Sequence, residues 1–129
     1  MAENQKSVLV VDDDPLISRM YQKKMAGDGY TVRTATNGEE ALGLVQKEKP
    51  DVILLDVMMP KMNGVETLKA LKGDPDTQAI PVLFLTNLGD KPEDIENAKQ
   101  LGATDYLVKT QITLEALSER VKQIMETGE

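Results

Sequence analysis

Five polar residues stand at the ends of short apolar runs of the sequence. They are Asp12, Asp13, Asp56, Thr86 and Lys109. If these runs are neighbouring parallel strands, their carboxyl ends meet at one edge of a sheet, so three carboxylates, a hydroxyl and an ammonium converge there. Carboxylates within a few ångströms of one another repel strongly unless a cation or bound protons compensate their charge. Oxygen ligands without nitrogen or sulfur favour Mg²⁺, so the pattern predicts a magnesium site.

A carboxylate beside Mg²⁺ can attack phosphorus and form an aspartyl phosphate when nearby donors neutralise the phosphoryl oxygens. Lys109 and Thr86 stand at strand ends from which they could supply those donors. Each residue alone has a simpler explanation, because an Asp at a strand end usually caps a helix and a lone Lys or Thr there is usually solvated. Their occurrence together at the ends of several strands favours a phosphoryl-transfer site.

The amino-acid composition excludes several classes of active site and binding partner. The 129 residues include no Cys and no His, which excludes Ser-His and Cys-His hydrolases, the usual zinc sites and haem with a His ligand. The formal net charge of −7 argues against nonspecific binding to nucleic acid or to an anionic membrane, because both need a positive patch. No stretch approaches the roughly 18 apolar residues of a membrane span. The sequence therefore predicts a soluble, cytoplasmic protein without membrane insertion.

Apolar runs of strand length alternate with helical patterns along the chain. The predicted strands are Ser7–Val11, Thr31–Ala35, Val52–Leu55, Val82–Leu85 and Tyr106–Val108. Near-continuous apolar strands are typical of a parallel sheet that is covered by helices on both faces. Five strands alternating with five helices predict a doubly wound α/β domain, and 129 residues leave no room for a second domain.

Local signals predict the helix starts and an apolar stripe on the first helix. Pro15 suits the first turn of the first helix, and Thr36–Glu39 has the capping-box spacing that opens the second. Asp90 and Thr113 are candidate caps of the last two helices. The first helix is expected to present a single apolar stripe. It consists of Leu16, Ile17, Met20 and Met25.

Four stretches of the sequence form a specific set. They are Val8–Pro15, Leu54–Gly64, Leu85–Thr86 and Gly102–Lys109. In these stretches the chain resembles the receiver domains of two-component response regulators, and the resemblance runs over about residues 6–125. It implies the flavodoxin-like (βα)5 fold, with a five-stranded parallel sheet in the order 2-1-3-4-5 and helices on both faces. It also implies that residues 1–129 form one receiver domain without an output domain.

The resemblance implies roles for the acidic residues. Asp56 would be the phosphoacceptor, and Asp12 and Asp13 would form the acidic pair beside it. Asp13 and Asp56 would ligate Mg²⁺ directly, whereas Asp12 would orient the ion mainly through water. The backbone carbonyl of Met58 would supply a further ligand.

The resemblance also implies a set of functional residues at the ends of the last two strands. Lys109 would pair with a phosphoryl oxygen. Thr86 and Tyr106 would be the switch pair, in which the hydroxyl moves toward the phosphoryl group while the ring turns inward. One departure is Thr110, because the family usually follows its lysine with Pro in a cis peptide. A cis bond to any other residue costs about 2.5–4 kcal/mol, so a trans bond or a reshaped loop is expected after Lys109.

The function that follows is that of a stand-alone phosphoacceptor in a two-component system or phosphorelay. The donor imidazole must come from a sensor histidine kinase or a histidine phosphotransfer protein, because this chain has no His. The response is expected through a downstream protein target and not through direct DNA binding. The protein is expected to be no conventional enzyme, although it would catalyse its own phosphorylation and a slow self-dephosphorylation. The slow rate is inferred from Met58 and Leu88, apolar residues at the two positions that flank the attacking water in the family.

Three other functions stay open on the sequence alone. A Mg²⁺-dependent phosphatase with an aspartate nucleophile, as in the haloacid dehalogenase group, would need a second Asp where this chain has Met58. A flavin or nucleotide carrier would need a phosphate-cradling loop after the first strand, where Asp12–Asp14 would repel phosphate unless metal is bound. A flavodoxin-like scaffold without phosphotransfer is the weakest of the three, because every phosphorylation residue is present.

Overall fold

The chain alternates strands and helices as predicted. The computed structural model describes residues 5–87 and 92–127, without the side chains of residues 92–95. The strands are β1 (Ser7–Val11), β2 (Thr31–Ala35), β3 (Val52–Asp56), β4 (Val82–Thr86) and β5 (Asp105–Val108). The helices are α1 (Pro15–Gly27), α2 (Gly38–Lys47), α3 (Gly64–Lys72), α4 (Pro92–Gln100) and α5 (Leu114–Thr127). In this part of the chain, no helix is both long enough and apolar enough to cross a membrane.

The five strands form one parallel sheet in the order β2-β1-β3-β4-β5. This order confirms the predicted flavodoxin-like, doubly wound topology. Two of the polar residues prove to be the last residues of their strands, since Asp56 pairs with Leu85 and Thr86 pairs with Val108. The hydrogen-bond pairing of the sheet therefore extends to Asp56 and Thr86, two of the residues that the sequence predicts to form the site.

Side chains of the central strands alternate between the two faces of the sheet. Leu9 and Val11 of β1 pack on the face that α2, α3 and α4 cover, whereas Val8 and Val10 pack on the face that α1 and α5 cover. Every residue of β3 and β4 is buried. This two-sided burial explains why these strands are nearly continuous apolar runs that end in a single polar residue.

Contrary to the sequence prediction, the apolar residues of helix α1 do not share one face. Tyr21 and Met25 are buried, and Ile17 packs against the same cluster of the core. Leu16 and Met20, by contrast, are 77% and 43% exposed. The buried residues recur every four positions, and the exposed pair stands one position earlier, which is a rotation of about 100° around the helix axis. The predicted single apolar stripe is therefore divided into a buried face and an exposed pair, Leu16 and Met20.

The cap of α2 lies one residue later than predicted. Asn37 Oδ1 accepts a hydrogen bond from the N–H of Glu40 at 2.9 Å, and Glu40 Oε1 accepts one from the N–H of Thr36 at 2.6 Å. Asn and Thr are both good caps, and a glutamate stands at either spacing, so the sequence alone did not separate the two registers. Thr113 caps α5 as predicted, because its Oγ1 accepts a backbone N–H at 3.0 Å. The predicted cap Asp90 lies outside the described residues.

Candidate functional site

The carboxyl ends of β1 and β3 bring three carboxylates together. Because β1 and β3 are neighbours in the sheet, Asp12 and Asp13, which follow β1, meet Asp56 at the end of β3. One oxygen of each carboxylate lies within 4.8 Å of the other two. Asp12 and Asp56 are buried, whereas Asp13 is exposed at the mouth of the cluster. The predicted convergence of the acidic residues is therefore present.

Lys109 lies against the two buried carboxylates. Its Nζ is 2.5 Å from Asp12 Oδ2 and 3.3 Å from Asp56 Oδ1, and the three side chains are between 3% and 6% exposed. The backbone N–H of Lys109 donates to the Thr86 carbonyl at 2.7 Å, which ties the residue to the end of β4. The other oxygen of Asp12 accepts the N–H of Asp14 at 2.9 Å. The closest partner of the lysine is therefore Asp12 and not the expected phosphoacceptor.

The charges of the cluster do not balance. Burial raises the pKa of Asp56 to about 6, and the neighbouring charge of Asp12 adds to the effect against the opposing charge of Lys109. Burial by itself would lower the pKa of Lys109, but its hydrogen bond and ion pair with Asp12, and then Asp56, raise it. One ammonium faces three carboxylates, so two negative charges are uncompensated when all three are ionised. A divalent cation matches that deficit.

The donor set fits a magnesium ion. Mg²⁺ holds oxygen ligands at about 2.0–2.1 Å in an octahedron, which places ligand atoms roughly 2.9–4.2 Å apart. The spread of up to 4.8 Å among the oxygens of Asp12, Asp13 and Asp56 needs only a small adjustment to reach that range. The cluster offers neither nitrogen nor sulfur donors, so softer metals have no preferred ligand there.

The start of α3 packs directly on the backbone of the β3 end. The N–H of Gly64 donates to the carbonyl of Val57 at 2.9 Å. A Cβ atom at Gly64 would stand 2.3 Å from the carbonyl oxygen of Asp56 and 2.8 Å from Val57 Cα, which no real side chain tolerates. A capping box between Asn63 and Glu66 fixes the same turn. Sequence reasoning assigned this glycine to a turn but missed its contact with the acceptor residue.

The loop between β3 and α3 also carries Met58. Its side chain is 65% exposed, beside the acidic cluster. Lys61 in the same loop has a positive φ of 65°, a left-handed conformation that few residues other than Gly adopt. The role of the Met58 carbonyl as a metal ligand stays a prediction.

The expected switch residues are both buried on neighbouring strands. Thr86 is fully buried at the end of β4, and Tyr106 of β5 is 8% exposed. The Tyr106 ring stands edge-on to the ring of Phe84, with centroids 6.3 Å apart and an interplanar angle of 88°. The ring therefore occupies the inward position on the face covered by α3 and α4.

The peptide after Lys109 is trans, because the structure has no cis bond among the described residues. This agrees with the expectation from Thr110. Leu88, the second residue expected to flank an attacking water, lies outside the described residues.

The family of the chain follows from its match to known proteins. A family model described as the response regulator receiver domain matches residues 8–122. The chain belongs to this family. The alkaline phosphatase synthesis transcriptional regulatory protein PhoP of Bacillus subtilis (strain 168) is 41% identical to this receiver domain over 124 residues, which are 96% of the chain and 50% of that protein. The chain spans about half the length, or less, of the curated relatives it matches.

Solved structures agree with the assignment. The chemotaxis response regulator CheY4 of Vibrio cholerae has a TM-score of 0.86 at 37% identity, covering 94% of this receiver domain and 99% of that chain. The receiver domain of the Francisella response regulator 1452 has a TM-score of 0.88 at 32% identity, covering 97% and 100%. Receiver domains are phosphoacceptor signalling proteins of two-component systems and not conventional enzymes, so the phosphatase and scaffold alternatives are not favoured.

Proposed function

We propose that Asp56 accepts a phosphoryl group from a phosphohistidine of a partner, either a sensor histidine kinase or a histidine phosphotransfer protein, in a reaction that requires Mg²⁺. The observation that carries the proposal is the position of the Asp56 carboxylate. Asp56 is the last residue of a central strand, its Oδ1 is 3.3 Å from Lys109 Nζ, and two further carboxylates lie beside it. The family interacts with histidine kinases and with downstream targets, and this chain has no His to serve as its own donor.

The transfer forms one bond and breaks one. A carboxylate oxygen of Asp56 attacks phosphorus, the P–N bond to the partner's imidazole breaks, and the imidazole keeps the electron pair and takes up a proton from water. Asp13, Asp56, the Met58 carbonyl and, through water, Asp12 would hold Mg²⁺, which supplies positive charge against the phosphoryl oxygens when bound. Lys109 needs only a short displacement from Asp12 to pair with one of those oxygens.

The proposed response to phosphorylation involves the edge of the sheet that β4 and β5 form. The Thr86 hydroxyl would move toward the phosphoryl group and hold the inward Tyr106 ring, and the surface built by β4, β5, α4 and α5 would then bind a downstream protein. A net charge of −7 supports a protein target over direct contact with DNA.

The experiment that tests the proposal is phosphorylation of the purified chain by a small phosphodonor such as acetyl phosphate. With Mg²⁺, intact-mass spectrometry should show the addition of one phosphoryl group, and with chelator it should show none. A chain that stays unmodified with Mg²⁺ at a donor concentration that labels another receiver domain would contradict the proposed function.

Mg²⁺ affinity should depend on Asp13 and Asp56 together. Because each supplies a ligand oxygen, Asp13→Ala and Asp56→Ala should each weaken binding by about tenfold or more, as measured by titration calorimetry. Asp14→Asn is the matched control: it removes a neighbouring negative charge but keeps a side chain that can cap α1 through the oxygen that now binds Leu16 and Ile17. Unchanged affinity in both alanine variants would refute the ligand assignment.

The phosphoryl group on Asp56 should be lost slowly. Met58 flanks the approach of an attacking water in this proposal, and its exposed thioether cannot orient that water by a strong hydrogen bond. Met58→Asn should shorten the lifetime by about tenfold, since an amide can hold the water, whereas Met58→Leu should leave it long. Lifetimes are measured by the decay of the phosphorylated mass after donor removal. An asparagine variant no faster than the leucine variant would count against this role.

The phosphodonor protein should dock on α1. Leu16 and Met20 are the large apolar side chains that α1 exposes, and they lie next to the turn that carries Asp13 and Asp14. The double variant Leu16→Ser, Met20→Gln should slow transfer from a phosphorylated histidine phosphotransfer domain by about tenfold. That factor corresponds to about 1.4 kcal/mol, and full burial of one large apolar side chain is worth roughly 1.5–3 kcal/mol. Labelling by acetyl phosphate serves as the control. Equal slowing with both donors would show that the variant damages the site itself.

A further inference from the structure

Helices α3 and α4 leave a cavity between them on one face of the sheet. Its volume is about 390 Å³. Phe84 and Tyr106 form its floor, and Val57, Val65 and Leu101 line its sides. Pockets of this size lie in the range, roughly 300–1,000 Å³, that holds small organic ligands, and an apolar cavity of about 150 Å³ already accepts a benzene ring. The cavity therefore has room for an aromatic bicycle with a short side chain.

The polar groups of the cavity lie at its rim and share one character. They are the ammonium of Lys69 on α3 and the carboxamides of Asn97 and Gln100 on α4, and all three side chains are exposed. Lys69 has no ion-pair partner among the described residues, and no carboxylate belongs to the described lining. In a chain with 22 acidic against 15 basic residues, such a rim favours an anionic group over a cationic one.

We propose that this cavity binds a small amphipathic carboxylate. The apolar body lies against the rings of Phe84 and Tyr106, where offset and edge-on aromatic contacts are available beside the existing pair. The carboxylate reaches the rim, pairs with Lys69 and accepts hydrogen bonds from the two carboxamides. The ligand class follows from the arrangement of an apolar interior behind a cationic rim that lacks acidic groups.

Occupation of the cavity also bears on the phosphorylation site, a consequence that rests on the proposed function. Tyr106 forms the floor in its inward position, and Val57 is the residue next to Asp56. A ligand packed on the inward ring favours the state that phosphorylation favours, so the two events strengthen each other by linkage. The phosphorylated chain should bind the ligand about fivefold more tightly than the unphosphorylated chain, which is the lower end of such couplings. Equal affinity of the two forms would overturn this coupling.

Binding itself is tested on the unphosphorylated full chain without Mg²⁺, so its failure is separable from any failure of phosphorylation. The probes are indole-3-propionate and its uncharged amide, followed by ¹H–¹⁵N NMR titration. Shifts should be confined to the residues around the cavity, and the acid should bind about fivefold more tightly than the amide, as expected for one exposed ion pair. Lys69→Met should bring the acid to the affinity of the amide.

Val65→Phe should narrow the cavity and weaken binding of both probes. Lys69 is an exposed residue, so its variant keeps the test valid even where the Val65 variant disturbs the core. Three results would each overturn the inference: no localised shifts at millimolar probe, equal affinity of acid and amide in the parent chain, or an acid preference that survives in Lys69→Met.

Discussion

Asp56→Asn should abolish phosphorylation of this receiver domain by acetyl phosphate in the presence of Mg²⁺. The amide is a poor nucleophile toward phosphorus and a weaker metal ligand. The other buried carboxylate of the cluster, Asp12, is already engaged by the ammonium of Lys109 at 2.5 Å and by the N–H of Asp14 at 2.9 Å, so it is not expected to replace Asp56 as the nucleophile. Intact-mass spectrometry over a time course gives the labelled fraction directly.

Asp14→Asn is the control for this loss, since it removes one carboxylate beside the site and should label as the parent does. Labelling of Asp56→Asn at the rate of the parent would contradict the assignment and direct attention to a hydroxyl such as Thr86 or Ser7. Peptide mapping of the labelled chain would then identify the true acceptor.

In chelator at pH 7, the same Asp56→Asn variant should be more stable than the parent by on the order of 2–3 kcal/mol. The folded state raises the pKa of Asp56 from 3.8 to about 6 because the carboxylate is buried beside Asp12. The folded protein therefore binds this proton more tightly than the unfolded chain does. The stability that it contributes is present below about pH 4 and is lost as the pH rises through about 6.

The parent should accordingly lose stability relative to the variant between about pH 4 and pH 6, and the two should be similar at the acidic end of that range. Lys109 keeps its closer partner Asp12 in the variant, so the substitution relieves repulsion without stranding the ammonium. Denaturant unfolding at several pH values in chelator gives the curves. Curves that run parallel for the two proteins over that range would contradict the prediction.

Much of the site could be predicted because its residues are tied to the sheet. Asp56 and Thr86 end β3 and β4, and Asp12 and Lys109 directly follow β1 and β5. The alternation of strands and helices predicts a parallel sheet in which those ends come together. The placement of polar residues at the ends of apolar runs depends only on positions along the chain, so it can be read from the sequence.

Other features depend on distances across the fold, which no spacing in the chain encodes. The preference of Lys109 for Asp12 over Asp56 is decided by side-chain geometry in a buried cluster. Leu16 is exposed because α1 is rotated so that Tyr21, and not Leu16, packs in the core. For the lysine partner and for the rotation of α1, local sequence preferences allow two arrangements, and tertiary packing decides between them.

The close contact at Gly64 also has a mechanical consequence. The contact has no space for a single methyl group, so the backbone of Asp56 has no room to move toward the first turn of α3 without moving that turn. A shift of the β3 end toward α3 would therefore displace the first turn of that helix, and α3 also lines the cavity whose floor includes Tyr106.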